Sequence, residues 1–217
     1  MEIILKFLKD IKKNNNREWF EKNKPKYLEA KTDFEELVGA VLTEITKFDS
    51  ALGGLDPKKL PFRIYRDVRF SKDKRPYKTN MGAGFSPNGK LVQEPGYYLH
   101  LEPGKSFVAG GIYMPDAERL TKIRQEIDYN YNSLKKVTSN KKFSSLYPQF
   151  DDFDKLKTAP KGYPKDHPQI ELLKLKSFIV SREFSDKEVL DKKFAKNVAD
   201  HCKAIKPLND FIKEAIS

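Results

Sequence analysis

Cysteine is nearly missing from this chain: Cys202 is the only one among 217 residues. No disulfide forms within the chain, and no Cys-x-x-Cys metal framework exists. A reducing compartment fits, so the expected location is the cytoplasm. Long hydrophobic runs are missing too. No stretch approaches the ~18 apolar residues of a membrane span, so no membrane partner is expected. Residues 1–13 alternate charge with apolar side chains, unlike a signal peptide. No Walker loop, no Gly-x-Gly-x-x-Gly after a strand and no His-Glu-x-x-His occurs. Neither a cofactor nor a metal is expected. No linker or repeat divides the chain, which reads as a single domain over residues 1–217.

Positive charge, in contrast, is plentiful. Forty-two Lys and Arg face 31 Asp and Glu, a net charge of +11. The excess is densest in the middle, where residues 62–114 carry 9 basic and 4 acidic side chains. Such a region favours phosphate, nucleic acid or an acidic surface. Solvated lysines that only keep the protein soluble are the plain alternative. Aromatic residues make up 12 %, which supplies bulky core material and argues against disorder.

Periodicity predicts a helical start. Ile3, Ile4, Phe7, Leu8 and Ile11 lie at helical spacing over 2–12. Asn14 to Asn16 stops that helix, and Asn16 suits the N-cap of the next. Pro25 suits the first turn of a helix running to about residue 47, with Phe34, Leu37, Val38, Val41, Leu42 and Ile45 on one face. Then the period changes to two. Phe62, Ile64, Val68 and Phe70 alternate with Arg63, Tyr65, Asp67 and Arg69, which predicts a half-buried strand, with Arg66 out of pattern. Further strands are expected over 78–86, 97–102 and 107–114, giving a four-strand antiparallel meander over about 62–114. Asp116 is expected to cap a long helix, Asp166 to cap one near Pro168, and Leu175 to Phe184 to turn into a strand. Ser185 to Glu188 spells a capping box, and Pro207 is expected to kink or restart the last helix. The fold class is α+β: a mostly antiparallel sheet packed by N- and C-terminal helices.

The central run, Arg-x-x-Arg-Asp-x-Arg-Phe-x-x-Asp-Lys-x-Pro-Tyr-Lys-Thr over 63–79, resembles the hallmark of a bacterial family, domain of unknown function 2461. Asn-Asn-Asn-Arg-Glu-Trp-Phe at 14–20, Pro-Gly-Tyr-Tyr-Leu-His-Leu-Glu-Pro-Gly at 95–104, Ala-Pro-Lys-Gly-Tyr at 159–163 and Asp-His-Pro at 166–168 are similar to the same family. The resemblance implies a bacterial protein of about one domain. It carries over no catalytic residue.

Three groups of residues are chemical candidates. The first is a basic hairpin of Arg63, Arg66, Arg69, Lys72, Lys74 and Lys78, with Tyr65, Tyr77 and Tyr98 lining it. Guanidinium forks suit phosphate, and a tyrosine offers a stacking face or a hydroxyl. The structural alternative is that Asp67 and Asp73 neutralise Arg66 and Lys74 within the hairpin. The second is Tyr98, His100 and Glu102, on one strand face at alternate positions, with Asp67 as a further carboxylate if it lies across the sheet. This set suits acid/base work; the alternative is a cross-strand polar pair. A nuclease-like metal site is poorly supported, because no Glu-x-Lys follows on a strand. The third is the rigid basic loop from Lys161 to Pro168. The leading expectation is an anionic, phosphate-bearing ligand at the basic hairpin. Non-specific nucleic-acid binding and a purely structural interaction domain are the alternatives, and whether the protein is an enzyme stays open.

Overall fold

Three helices open the chain: α1 (Glu2–Lys13), α2 (Arg17–Lys22) and α3 (Lys24–Thr46). The computed structural model describes residues 1–90 and 93–217. α3 buries Phe34, Leu37, Val38, Val41, Leu42 and Ile45, as their spacing predicts; α1 buries Ile4, Phe7, Leu8 and Ile11 as predicted, with Leu5 in place of Ile3, which is exposed. The Asn16 side chain accepts a hydrogen bond from the Trp19 backbone N–H at the start of α2, which satisfies one orphan donor of that helix end.

Four strands form one antiparallel sheet in the order β1 (Met81–Phe85), β2 (Gly96–Leu101), β3 (Ser106–Ile112) and β4 (Phe178–Phe184). The α+β class and a four-strand antiparallel sheet are those expected, and so is a strand within 175–184; its membership of this sheet in place of residues 62–70 is not. It comes from residues 178–184, pairing Ile112 with Phe178 and Ser106 with Phe184. The segment 62–70 is not a strand. At its start Pro61 bridges Ala83 and the Phe62 N–H donates to the Gly82 carbonyl of β1, while Tyr65 bridges only Tyr77, outside the sheet.

The reason lies in its side chains. Asp67 Oδ1 accepts from the Arg69 N–H, Asp73 Oδ1 from the Arg75 N–H and Ser71 Oγ from the Asp73 N–H. Such local turns compete with a ladder for the backbone donors. Pro76 lacks an N–H altogether and only accepts, from the Arg66 N–H. Alternation of burial also ends at Phe70, which is 96 % exposed.

Between β3 and β4 lie α4 (Ala117–Tyr129), α5 (Tyr131–Thr138), α6 (Lys141–Leu146) and α7 (Ile170–Leu173). Asp116 caps α4 by accepting from the Arg119 N–H. The long helix expected there divides at Asn130. Asp166 does not cap α7; Gln169 stands at its N-cap, and its N–H is taken by His167 Nδ1. His167 Nε2 also reaches Asp128 at 2.9 Å, so this loop staples α7 to α4. The capping box at Ser185 forms and opens α8 (Asp186–Val189).

The last helix, α9 (Phe194–Ile216), runs through Pro207 rather than restarting there. Ile205, Leu208, Phe211 and Ile212 are buried on both sides of the proline, and that packing offsets the ~3 kcal/mol a mid-helix proline costs. α9 packs on β3 and on α3, and α1 packs on α3. One sheet face therefore belongs to the core: Ala83, Phe85, Tyr97, Leu99, Val108, Ile112, Phe178 and Val180 are buried there. Gly110 lies under α9, where a side-chain carbon would stand 2.5 Å from Ile205. Cys202 is fully enclosed in this core, and burial pushes its thiol up in pKa. It is a packing residue.

Candidate anion-binding site

The opposite sheet face carries the polar row. Register places Gly82 beside His100 and Gly84 beside Tyr98, with Phe107 beside His100 on the other side. Tyr98, His100 and Glu102 project on this face, as the alternation predicts. The glycine matters at one point. A side-chain carbon at residue 82 would lie 2.3 Å from the Tyr98 hydroxyl, so only glycine leaves the phenol its place.

The row is linked end to end. Tyr98 Oη lies 3.1 Å from His100 Nδ1, and His100 Nε2 lies 3.5 Å from Glu102 Oε2, a long contact. Thr79 donates to Glu102 Oε1 at 3.1 Å. The His100 ring stacks on Phe107 at 4.6 Å. A carboxylate only accepts. Glu102 therefore puts the imidazole proton on Nε2, leaves Nδ1 as acceptor, and makes Tyr98 the donor. Burial lowers the His100 pKa against the raising pull of Glu102, so the ring is neutral at neutral pH. Burial also pushes the Tyr98 phenol up to about 12.

Next to the row sits a cluster of cations around Phe62. Lys78 Nζ lies 5.7 Å and Lys90 Nζ 5.6 Å from the Phe62 ring centre, within the range of a cation–π contact. The Phe62 ring lies 6.1 Å from that of Tyr98. The Lys78 ammonium has its pKa lowered by burial first, then by Arg63 and Lys90. Among the described residues, no carboxylate lies within 4.0 Å of Arg63, Lys78 or Lys90.

The other predicted cations are engaged inside the loop. Arg66 is half-buried, pairs with Asp73 at 2.8 Å, and donates to the Arg75 carbonyl at 3.0 Å. Arg69 grips Asp67 through two nitrogens at 3.0 and 2.7 Å. Lys74 donates to the Val68 carbonyl at 3.0 Å. Asp67 therefore faces Arg69 and makes no hydrogen bond to His100 or Glu102. Of the alternative pairing of Asp67 and Asp73 with Arg66 and Lys74, Arg66 does pair, with Asp73, which also holds Arg75, while Asp67 takes Arg69 and Lys74 reaches a carbonyl. Lys72 is exposed at the loop tip. Tyr65 is half exposed, and its ring stands 5.5 Å from that of Tyr77. Tyr77 does not line the site: it is 4 % exposed and stacks on Phe20 at 4.1 Å.

Phe62, Lys90 and Asn15 do not stand out as site residues in the sequence. Lys90 follows the Pro87-Asn88-Gly89 turn, where the Ser86 hydroxyl donates to the carbonyls of Gly89 and Lys90. A lysine just past a tight turn beside a basic strand is the one local signal for it. Asn15 reads as a helix breaker, yet its amide holds the Tyr77 backbone on both sides.

The fold and this open sheet face define an α+β domain with a basic loop folded over one edge of its sheet. The chain belongs to the family described as conserved hypothetical protein (DUF2461), whose model matches residues 3–211. No curated protein and no solved structure matches it. Among the described residues, no helix is long and apolar enough to cross a membrane.

Proposed function

We propose that the protein binds a phosphate-bearing anion at Arg63, Lys78 and Lys90, beside Phe62 and Tyr98. One observation carries this reading: Lys78 and Lys90 share the Phe62 ring with Arg63 close to Lys78, and among the described residues no carboxylate lies within 4.0 Å of any of the three. Crowding of this kind raises the energy of the empty site, and an anion relieves it. Arg63 and the lysines supply donors suited to phosphate. The proposed setting is the cytoplasm, which the unpaired, buried Cys202 supports.

Thermal melting with added pyrophosphate tests the reading. Ligand that binds only the folded chain raises the melting temperature with concentration. The expected result is a rise in the wild type that is lost in Lys78→Ala and Arg63→Ala and kept in the double variant Arg69→Ala/Lys72→Ala. No rise in the wild type, or equal loss in all variants, overturns it.

A second reading, binding of single-stranded nucleic acid, is favoured by Phe70. Its ring stands free at the loop tip with the Arg69 guanidinium 5.9 Å from its centre. An exposed aromatic ring among cations is a platform for a base.

A further inference from the structure

We propose that the site is catalytic and acts on RNA, with Tyr98, His100 and Glu102 accepting a proton from a ribose 2′-hydroxyl and Lys78 returning one to the leaving oxygen. This rests on the anion-binding reading above and deepens it.

The row is ordered for one direction of transfer. The Nδ1 lone pair of His100 faces the Tyr98 hydroxyl at 3.1 Å, while Glu102 stands at the far nitrogen. A proton arriving at the Tyr98 oxygen displaces its own proton onto Nδ1, and the imidazolium formed sits against a carboxylate. A neutral phenol is a poor base alone. Backed by a neutral imidazole, it passes the proton on. The glycine at 82 and the stacked ring of Phe107 fix the phenol and the imidazole in place.

The substrate class follows from what lies beside the row. The cations hold a phosphate, and the row takes a proton from a neighbouring hydroxyl. A phosphodiester with a hydroxyl on the adjacent carbon joins both needs in one molecule, with its nucleophile already next to phosphorus. That arrangement is ribose in RNA and is missing from DNA. The long contact within the row is of the kind that shortens once substrate is bound.

The step balances without a further reactant. The 2′-O–H proton goes to Tyr98 Oη as the Tyr98 proton goes to His100 Nδ1. The 2′-oxygen forms a bond to phosphorus, and the bond from phosphorus to the 5′-oxygen breaks. The 5′-oxygen takes a proton from the Lys78 ammonium, whose lowered pKa makes it a readier donor. Arg63 and Lys90 offset the negative charge that builds on the phosphoryl oxygens. The products are a 2′,3′-cyclic phosphate and a 5′-hydroxyl. His100 then returns its proton to solvent, and Lys78 regains one.

The test uses the full chain with a 5′-labelled oligouridine and the matching deoxy oligomer. The expected result is that both bind and only the RNA is cut, to fragments ending in a cyclic phosphate. Tyr98→Phe and His100→Gln, purified identically, should lose about 100-fold in single-turnover rate, the scale of one acid/base group, and His100→Gln should bind the deoxy oligomer like the wild type. His100→Gln should also remove the acidic limb of the pH–rate profile. Binding of RNA without cleavage, or equal cleavage by both variants, overturns the catalytic inference and leaves anion binding standing. Failure to bind either oligomer, together with no response to pyrophosphate, overturns both.

Discussion

Asn15 holds the backbone of Tyr77 with both ends of its side chain: its amide nitrogen donates to the Tyr77 carbonyl at 3.0 Å and its oxygen accepts from the Tyr77 N–H at 3.1 Å. Sixty-two residues separate the two. The asparagine acts as one rung of a strand and ties the basic loop to the turn between α1 and α2. Lys78, the most enclosed of the clustered cations, is the next residue.

Asn15→Ala should therefore weaken the site from a distance. Two hydrogen bonds are lost and two half-buried backbone groups are left without partners, a cost of about 1–3 kcal/mol. Urea unfolding should show a lower midpoint at an unchanged slope. The pyrophosphate response should fall although no cation has been touched.

Arg66 and Arg69 should part company. Arg66 closes the loop on Asp73 and the Arg75 carbonyl with 25 % of its side chain exposed, whereas Arg69 is 77 % exposed on Asp67. Arg66→Ala should lower the melting temperature and expose the loop to proteolysis. Arg69→Ala should leave both unchanged, because exposed pairs contribute little. Equal effects would show that the loop is not held by Arg66.

Two neighbouring glycines should differ in what replacement does. A side-chain carbon at Gly110 meets the Ile205 side chain at 2.5 Å, a side chain that can turn aside, and the Gly96 carbonyl only at 3.1 Å. Gly110→Ala should cost about 1–3 kcal/mol. Gly111 has φ +119° and faces the Phe178 carbonyl, 1.9 Å from where such a carbon would lie. That obstacle is backbone of β4, so the strand itself would have to move. Gly111→Ala should be the worse of the two by melting temperature, and should disturb the pairing of β3 with β4 in amide exchange.

His201 gives the fold a dependence on acid. It is enclosed beside Tyr147, with its Nδ1 3.0 Å from the Tyr147 hydroxyl. Burial first, and Arg182 second, lower its pKa. The unfolded chain then binds the proton more tightly than the folded one. The contribution is complete above the unfolded value of about 6.5 and is lost as pH falls from there through the lower folded value. Urea midpoints of the wild type should drop between roughly pH 7 and 5, and those of His201→Gln should drop less. A parallel pair of profiles would exclude His201 as the group.

Local signals carried much of this architecture. The spacing in α1 and α3, the caps at Asn16 and Asp116, the capping box at Ser185 and the alternation in β2 and β3 each depend on residues within a turn or two of one another. So does the common face of Tyr98, His100 and Glu102, which a strand of any register would produce. The errors fell where distant segments compete. Residues 62–70 have the alternation of a strand, but Asp67, with Ser71 and Asp73 just beyond, takes backbone donors, and residues 178–184 supply the fourth strand at the opposite edge, beside β3. Asp166 has the chemistry of a cap, yet His167 holds the helix end because Asp128 fixes its ring.

By itself, the sequence determined the class of the fold, the helices, and where positive charge is densest, because these follow from period and composition. Only the tertiary structure decided which cations are neutralised and which stand together. Arg66, Arg69 and Lys74 have partners inside their own loop, while Lys90 arrives from another turn to join Lys78 at the Phe62 ring, with Arg63 close to Lys78. That sorting depends on distances of a few ångströms between segments far apart in the chain, because a charge beside a carboxylate and a charge beside another cation read alike until the chain is folded.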